Sequence, residues 1–209
     1  MKTFLLQGDS ITDFGRNRND YNGGGSCGYA TLTAAKLGFE HPGEITFVNR
    51  GISGDRSVDL YARIKRDFID VKPDYISILI GVNDVWHDFH DQPNGVADEK
   101  YRMVYGMIIE ELQKELPGVK IIILEPFCLK GAGTESHWEE FDTEVRKRAV
   151  SAKAVAEKYG LKFVPLQDKL DAACEKAEAS FWLGDGVHPA PAGHELIARE
   201  LCAAFEEIK

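Results

Sequence analysis

The stretch "YISILI", Tyr75–Ile80, is apolar or aromatic at every position except Ser77. A second stretch of this kind, "VKIIILE", Val119–Glu125, contains three consecutive isoleucines. Short runs that are almost continuously apolar suit strands covered on both faces, as in parallel sheets, because a strand with one wet face alternates polar and apolar residues. These two stretches therefore predict the centre of a parallel sheet.

Three shorter β-rich runs and several helical patterns surround these two strands. The alternation of strands and helices predicts a doubly wound α/β domain that spans residues 1–209, with no linker or repeat. In such folds the loops after the strands line the edge of the sheet where ligands bind. The further strands are expected at Thr3–Gln7, Ile45–Asn49 and Lys162–Pro165, the helices at Tyr29–Leu37, Ser57–Asp70, Asp98–Leu116, Phe141–Tyr159 and from Pro191, and the long loops at Phe14–Gly28 and Val85–Ala97.

The composition and charge exclude some classes of partner. The chain has 209 residues, of which 44% are hydrophobic and 28% charged, and its formal net charge is -9. This acidic balance argues against binding to nucleic acid, whose phosphates require a basic patch, and against docking on an anionic membrane. It is compatible with neutral substrates such as sugars.

The N-terminus and the cysteines predict a cytoplasmic protein. After Lys2 the apolar run Thr3–Leu6 is shorter than the roughly 7–15 residues of a secretory signal, and no stretch approaches the ~20 residues of a membrane span. The cysteines are widely spaced and form no CxxC pair, which favours unpaired thiols over a disulfide or a metal site. They are Cys27, Cys128, Cys174 and Cys202.

Four short stretches carry side chains that suit catalysis. The first, Gly8-Asp9-Ser10, follows the first strand. Taken alone, Ser10 can cap a helix, hold a phosphate or act as a nucleophile, and Asp9 and Asp13 can belong to a metal phosphatase. The second, Asn49 to Arg56, reads "NRGISGDR", and its glycines allow backbone N–H groups to approach a ligand.

The other two stretches supply an amide and a histidine. Gly81-Val82-Asn83-Asp84 follows the third strand, where Asn83 can donate from its amide or form an ordinary Asx turn. In Asp185-Gly186-Val187-His188, the carboxylate can bend back onto the imidazole, since the following proline keeps His188 out of a helix. Together the four stretches provide a nucleophile, a base, an orienting acid and hydrogens for an oxyanion, which is the set that acyl transfer requires.

The four stretches resemble, in order, the four sequence blocks of the SGNH hydrolases, also called the GDSL esterase/lipase family. The resemblance extends from Gly8 to Pro189, with Ile11 in place of the leucine in GDSL. The residues of the blocks are most similar to those of small bacterial carbohydrate acetylesterases, notably acetylxylan esterases. The resemblance implies a three-layer αβα, flavodoxin-like fold with a five-stranded parallel sheet, and ester hydrolysis without a cofactor or metal.

The resemblance also implies roles for individual residues. Ser10 is expected to be the nucleophile, His188 the general base and acid, and Asp185 the residue that orients the imidazole. The expected oxyanion donors are the backbone N–H groups of Ser10 and Gly54 and the amide of Asn83. Gly54 is preferred to the other glycine of its loop because the second block of the family places its glycine there.

The expected substrate is a small acetylated carbohydrate, such as a short acetylated xylo-oligosaccharide. Trp86 can stack on a sugar ring or pack under its loop, and Arg56 can bind sugar hydroxyls or pair with Asp55 or Asp59. His194 is expected at the surface or as a cap. The alternatives are a lysophospholipase or thioesterase of the same fold, a metal-dependent phosphatase, and a non-catalytic carbohydrate-binding module. By analogy with relatives, the protein can form a homo-oligomer.

Overall fold

Five parallel strands form the central sheet of the structure, a computed structural model that describes residues 1–16 and 28–209. The order across the sheet is β2-β1-β3-β4-β5. All five predicted strands are present, with ends that differ by at most one residue from the prediction. Their bounds are β1 Lys2–Gly8, β2 Ile45–Asn49, β3 Tyr75–Leu79, β4 Lys120–Leu124 and β5 Lys162–Val164.

The helices follow the strands, and the sequence predicted the long ones. The prediction of one helix over Ser57–Asp70 is wrong, since the helix breaks at Arg63 and ends in a 3-10 turn. Four short helices were not predicted, namely α1, α5, α8 and α9. The bounds are α1 Ser10–Asp13, α2 Tyr29–Glu40, α3 Ser57–Ala62, α4 Ile64–Asp67, α5 Val82–Trp86, α6 Asp98–Glu115, α7 Trp138–Tyr159, α8 Gln167–Cys174, α9 Ala179–Trp182 and α10 Pro191–Ile208.

The sheet separates two hydrophobic cores, because successive side chains of a strand point to opposite faces. Phe4 and Leu6 of β1 pack with α2 and α10 on one face, whereas Leu5 packs with α3, α4 and α6 on the other. Because both faces of the sheet are covered, β3 is buried throughout and β4 is buried after its first residue. The structure thus confirms the three-layer αβα architecture.

The chain reverses its direction of winding between β1 and β3. From β1 it crosses to β2 at one edge, and from β3 it continues outward through β4 to β5. Loops leave the carboxyl ends of β1 and β3 on opposite sides at such a switch point, which opens a crevice for a ligand. Ser10 follows β1 and Asn83 follows β3, so both lie at this crevice.

Three further predictions bear on the described residues. No helix in residues 1–16 or 28–209 is long and apolar enough to cross a membrane. Cys128, Cys174 and Cys202 are free thiols, and Cys27 lies outside the described part. Most of the predicted loop Phe14–Gly28 also lies outside it, whereas the predicted loop Val85–Ala97 begins with helical residues up to Phe89.

Candidate active site

Ser10 is the first residue of α1 and lies two residues after the carboxyl end of β1. The cap of this helix is Asp9 and not Ser10, because the Asp9 carboxylate accepts a hydrogen bond of 2.9 Å from the N–H of Ile11. The hydroxyl of Ser10 is therefore not used for capping. The N–H of Ser10 is one of the unpaired donors of a first helical turn and has no acceptor among the described residues.

A continuous chain of hydrogen bonds links Ser10 to His188 and Asp185. The Ser10 Oγ lies 2.8 Å from His188 Nε2, and His188 Nδ1 lies 2.7 Å from Asp185 Oδ2. The structure thus brings together the three residues that the sequence predicted. With the proton on Nδ1 donated to Asp185, the Nε2 atom can accept the proton of the Ser10 hydroxyl.

The turn around Asp185 is held by its own carboxylate. The Asp185 Oδ1 atom accepts hydrogen bonds from the N–H groups of Val187, at 2.9 Å, and His188, at 2.7 Å, which leaves Oδ2 for the imidazole. Gly186 has a φ of 98°, which an L side chain rarely adopts, and its carbonyl accepts from the N–H of Leu129. The loop after β4 therefore anchors the turn from outside.

The charge of Asp185 and the imidazole support each other. Burial tends to raise the pKa of Asp185, but hydrogen bonds from the His188 side chain and from two backbone N–H groups outweigh this and lower it to about 2. The hydrogen bond from Asp185 raises the pKa of His188 above its ordinary value, against partial burial. His188 is thus a stronger base than a free imidazole.

The loop between β2 and α3 presents one free backbone donor. Gly54 has a φ of 87° and lies in a turn closed by the N–H of Asp55 on the carbonyl of Ile52. The N–H of Gly54 has no acceptor among the described residues, whereas the N–H of Gly51 donates to Asn49 Oδ1. The structure therefore favours Gly54 as the available donor of this loop.

The amide of Asn83 faces the same loop. Asn83 is almost fully buried in α5, and its Nδ2 donates one hydrogen bond of 3.1 Å to the carbonyl of Asp55. An amide group carries two hydrogens, so a second one is available for a ligand. This contact fixes the side chain of Asn83 beside the Gly54 turn.

Asp84 is a buried residue whose contribution the sequence did not reveal. Its carboxylate accepts hydrogen bonds from the N–H and the hydroxyl of Ser57, the first residue of α3. Burial raises the pKa of Asp84 to about 7. Asp84 thereby ties the start of α3 to the helix that carries Asn83, and a tie between two distant helices has no local sequence signature.

The two predicted substrate-binding residues lie in different surroundings. The Trp86 ring is half-buried beside His188, with 5.6 Å between ring centroids, and also contacts Phe141. Arg56 is paired with Asp59 through Nε at 2.8 Å, and it also donates to the carbonyl of Asn94. For Arg56 the structure has the predicted ion pair, and its binding of sugar hydroxyls stays a prediction.

The carboxylates of Asp9 and Asp13 are engaged with protein donors. Asp13 Oδ2 accepts from the N–H and the hydroxyl of Ser53, which joins α1 to the Gly54 loop. Burial raises the pKa of Asp9 to about 7. Within residues 1–16 and 28–209, no group of three or more His, Cys, Asp or Glu side chains is arranged to hold a metal ion.

The expectation that His194 lies at the surface is wrong. Its side chain is fully buried in α10, and its ring packs edge-on against Phe14. Burial lowers the pKa of His194 to about 4, so the ring is neutral and its Nδ1 accepts the N–H of Tyr29, the first residue of α2. His194 therefore caps a different helix, and sequence-local reasoning does not see such a contact.

Comparison with known proteins agrees with this architecture. Residues 6–196 match the model of the GDSL-like Lipase/Acylhydrolase family. The chain is 35% identical over 201 residues to an acetylxylan esterase of Geobacillus stearothermophilus, an alignment that covers 93% of this chain and 90% of the relative.

Solved structures show the same likeness. The crystal structure of Axe2, an acetylxylan esterase from Geobacillus stearothermophilus, superposes with a TM-score of 0.87 at 31% identity, covering 98% of this chain and 94% of Axe2. LAE5, an alpha/beta hydrolase from the metagenome of Lake Arreo, superposes with a TM-score of 0.87 at 27% identity, covering 100% and 96%. With the family match over nearly the whole chain, these likenesses show that the chain belongs to the GDSL-like lipase/acylhydrolase family and is a carboxylic ester hydrolase.

Proposed function

We propose that this protein is a serine esterase that removes acetyl groups from short carbohydrates through an acetyl-enzyme. The observation that carries the proposal is the chain of hydrogen bonds from Ser10 Oγ to His188 and on to Asp185, at 2.8 and 2.7 Å. A nucleophile in contact with a base that a third group orients is the arrangement that acyl transfer uses.

In the first half of the reaction, His188 Nε2 takes the proton of Ser10 as its oxygen attacks the ester carbonyl. Asp185 holds the other ring nitrogen and stabilises the imidazolium that forms. The oxyanion accepts hydrogen bonds from the N–H groups of Ser10 and Gly54 and from the free amide hydrogen of Asn83. His188 then protonates the sugar oxygen, which leaves as an alcohol.

In the second half, His188 takes a proton from water, whose oxygen attacks the acetyl group on Ser10. The same three donors stabilise the second oxyanion, and its collapse releases acetate and restores the hydroxyl. Only neutral His188 can act as the base in either half. Because Asp185 raises the pKa of His188, the loss of activity in acid is centred above the ordinary histidine pKa of 6.5.

The substrate part of the proposal rests on similarity and on one side chain. The 35% identical relative is an acetylxylan esterase. Because a fold can carry many functions, the residues around the nucleophile must also suit a sugar. Trp86 supports a sugar ligand here, since its half-buried aromatic ring lies beside His188, close to the point of cleavage.

Mass spectrometry of acetylated xylo-oligosaccharides tests the proposal. The wild type is expected to remove acetyl groups, each of which lowers the mass of the oligosaccharide by roughly 42 daltons, whereas Ser10→Ala is expected to remove none. If neither protein removes acetyl groups from the oligosaccharides but the wild type cleaves a simple acetate ester, the substrate is wrong and the esterase stands. If Ser10→Ala is as active as the wild type, the mechanism is wrong.

The rate as a function of acyl-chain length separates this proposal from the lysophospholipase and thioesterase alternatives. A series of esters of one alcohol with acyl chains of increasing length is the substrate set. An acetylesterase is expected to lose kcat/KM steadily beyond acetate. A rise in kcat/KM toward long chains would replace the acetylesterase by a lipid-directed enzyme.

A further inference from the structure

Arg63 lies at the break between α3 and α4, and its side chain is 9% exposed. Its backbone leaves helical geometry there, with φ -111° and ψ 13°. The guanidinium is turned toward the candidate active site, where it donates to two backbone carbonyls and pairs with Asp55 and Asp67. The four acceptors of this largely buried cation lie at the end of β1, in the loop after β2 and in α4, so its role goes beyond the stability of one helix.

The two backbone acceptors of Arg63 belong to the segments that carry two of the proposed oxyanion donors. One terminal nitrogen lies 3.4 Å from the carbonyl of Gly8, two residues before Ser10. The other terminal nitrogen lies 2.9 Å from the carbonyl of Arg50, at the start of the loop that contains Gly54. The guanidinium thus bridges the end of β1 and the start of this loop.

The third contact leads to the remaining donor. Arg63 Nε lies 2.7 Å from Asp55 Oδ2, and Asp55 directly follows Gly54. The backbone carbonyl of the same Asp55 accepts the amide of Asn83 at 3.1 Å. The guanidinium is therefore bonded directly to the segments that carry Ser10 and Gly54, and it is linked to Asn83 through Asp55.

We propose that Arg63 is a positioning residue that sets the distances among the oxyanion donors Ser10, Gly54 and Asn83. This inference rests on the proposed function, since it gives a purpose to donors assigned there. A planar guanidinium can direct hydrogen bonds along three fixed directions, whereas an ammonium is a compact charge that cannot span the same acceptors. Oxyanion donors must be held to within about 0.5 Å, so displacement of a donor loop lowers kcat while KM changes little.

The contact with Asp67 explains how the guanidinium is kept in place. Asp67 Oδ2 lies 3.2 Å from Arg63 and 2.6 Å from Arg66, a residue whose side chain is 73% exposed. In the described part of the chain, Arg66 shares this carboxylate but has no hydrogen bond to the end of β1 or to the loop of Gly54. It is therefore a matched control, with the same residue type and the same partner but no direct contact with the segments that carry the donors.

The test compares Arg63→Lys with Arg66→Lys in steady-state hydrolysis of an acetate ester. For Arg63→Lys we expect kcat to fall by about 10- to 100-fold with KM within about threefold, because misplaced donors weaken the transition state more than the ground state. Arg66→Lys is expected to keep kcat within about twofold. A kcat for Arg63→Lys within threefold of that of Arg66→Lys overturns the inference.

A boronic acid that forms a tetrahedral adduct with Ser10 supplies the second readout. Its hydroxyl occupies the place of the oxyanion, so its inhibition constant is expected to rise in parallel with the fall in kcat for Arg63→Lys. A structural role alone lowers the melting temperature and the folded fraction, and leaves the inhibition constant of the folded enzyme unchanged. That second pattern also overturns the inference.

A double-mutant cycle with Asn83→Ala separates this inference from the proposed function. If Arg63 acts partly through Asn83, Arg63→Lys is expected to cost a smaller factor in the Asn83→Ala background than in the wild type. Full additivity overturns the inference, while a normal rate for Asn83→Ala alone refutes the proposed oxyanion donors and the inference with them. If Arg63→Lys does not fold, Asp55→Asn breaks the same ion pair, and the same split between kcat and KM is required of it.

Discussion

Replacing Asp185 by asparagine tests the hydrogen-bond chain more sharply than replacing it by alanine. The Asp185 Oδ1 atom accepts two backbone N–H groups, from Val187 and His188, so the amide oxygen of an asparagine must take that position. The amide nitrogen then faces His188 Nδ1, which has to accept a hydrogen bond. The ring proton moves to Nε2, and the base can no longer accept the proton of Ser10.

The expected fall in kcat for Asp185→Asn has two parts. The pKa of Asp185 is about 2 against an ordinary 3.8, and a difference of one unit corresponds to about 1.4 kcal/mol. Because more than a third of the Asp185 side chain is exposed, solvent screening reduces the electrostatic part to about 1 kcal/mol, less than a tenfold effect. The larger part comes from the wrong tautomer, which in a serine hydrolase lowers kcat by about 10⁴.

The assay is kcat for an acetate ester measured from pH 5 to pH 9. For Asp185→Asn we expect kcat to fall by about 10³- to 10⁴-fold at pH 8. Loss of the aspartate also lowers the pKa of His188, so the residual activity is expected to persist to lower pH than in the wild type. Asp70→Asn, which removes an exposed carboxylate bound only to Lys65 in the described contacts, is the control and is expected to be fully active.

Asp185→Ala is a second variant that separates the two roles of the carboxylate. Alanine removes both the tautomer constraint and the acceptor of two N–H groups, so this variant is expected to be less stable than Asp185→Asn but no less active. A kcat for Asp185→Asn within tenfold of the wild type at pH 8 would refute the assignment of Asp185 as the residue that orients His188.

Four further predictions concern the surroundings of the site. Asn83→Ala is expected to lower kcat by about 10²–10³ with the melting temperature nearly unchanged, and a near-normal kcat would contradict its role as an oxyanion donor. Because the pKa of Asp9 is raised, its contribution to the free energy of unfolding is fullest below pH 3.8 and is lost as the pH rises through about 7. In urea unfolding, the stability of Asp9→Asn relative to the wild type is therefore expected to increase by a few kcal/mol between pH 4 and pH 8. Trp86→Ala is expected to raise KM for acetylated xylo-oligosaccharides several-fold and to leave that for a small acetate ester nearly unchanged, whereas equal increases would argue against a sugar contact. A chelator is expected to leave esterase activity unchanged, and a loss that a divalent metal restores would favour metal-dependent chemistry.

The sequence predicted the strands to within one residue because their signal is local. Five runs of β-branched and apolar residues suffice to place the five strands, and the strand-helix alternation predicts the winding. The helix after β2 was predicted less well. Leu60, Ile64 and Phe68 have the spacing of one helical face and are all buried, yet the backbone breaks at Arg63, whose guanidinium is held by distant acceptors.

The same limit applies to the residues that cap helices. Taken alone, the first stretch allows Ser10 to cap a helix, but in the structure the neighbouring Asp9 is the cap of α1. The start of α3 is bound by Asp84 and the start of α2 by His194, from 27 and 165 positions away. Capping by a side chain of another helix depends on how the helices pack, and packing is not written in a sequence window.

The sequence by itself determined the strand positions, the order of the four blocks and the residue types that acyl transfer requires. Only the tertiary structure decided that Ser10 and His188, separated by 178 positions, lie 2.8 Å apart, and that Asn83 faces the loop of Gly54. The physical reason is that residue type and hydrophobic period are local properties of the chain. A catalytic distance is set by parallel strands that end at one edge and by buried polar contacts that fix their loops.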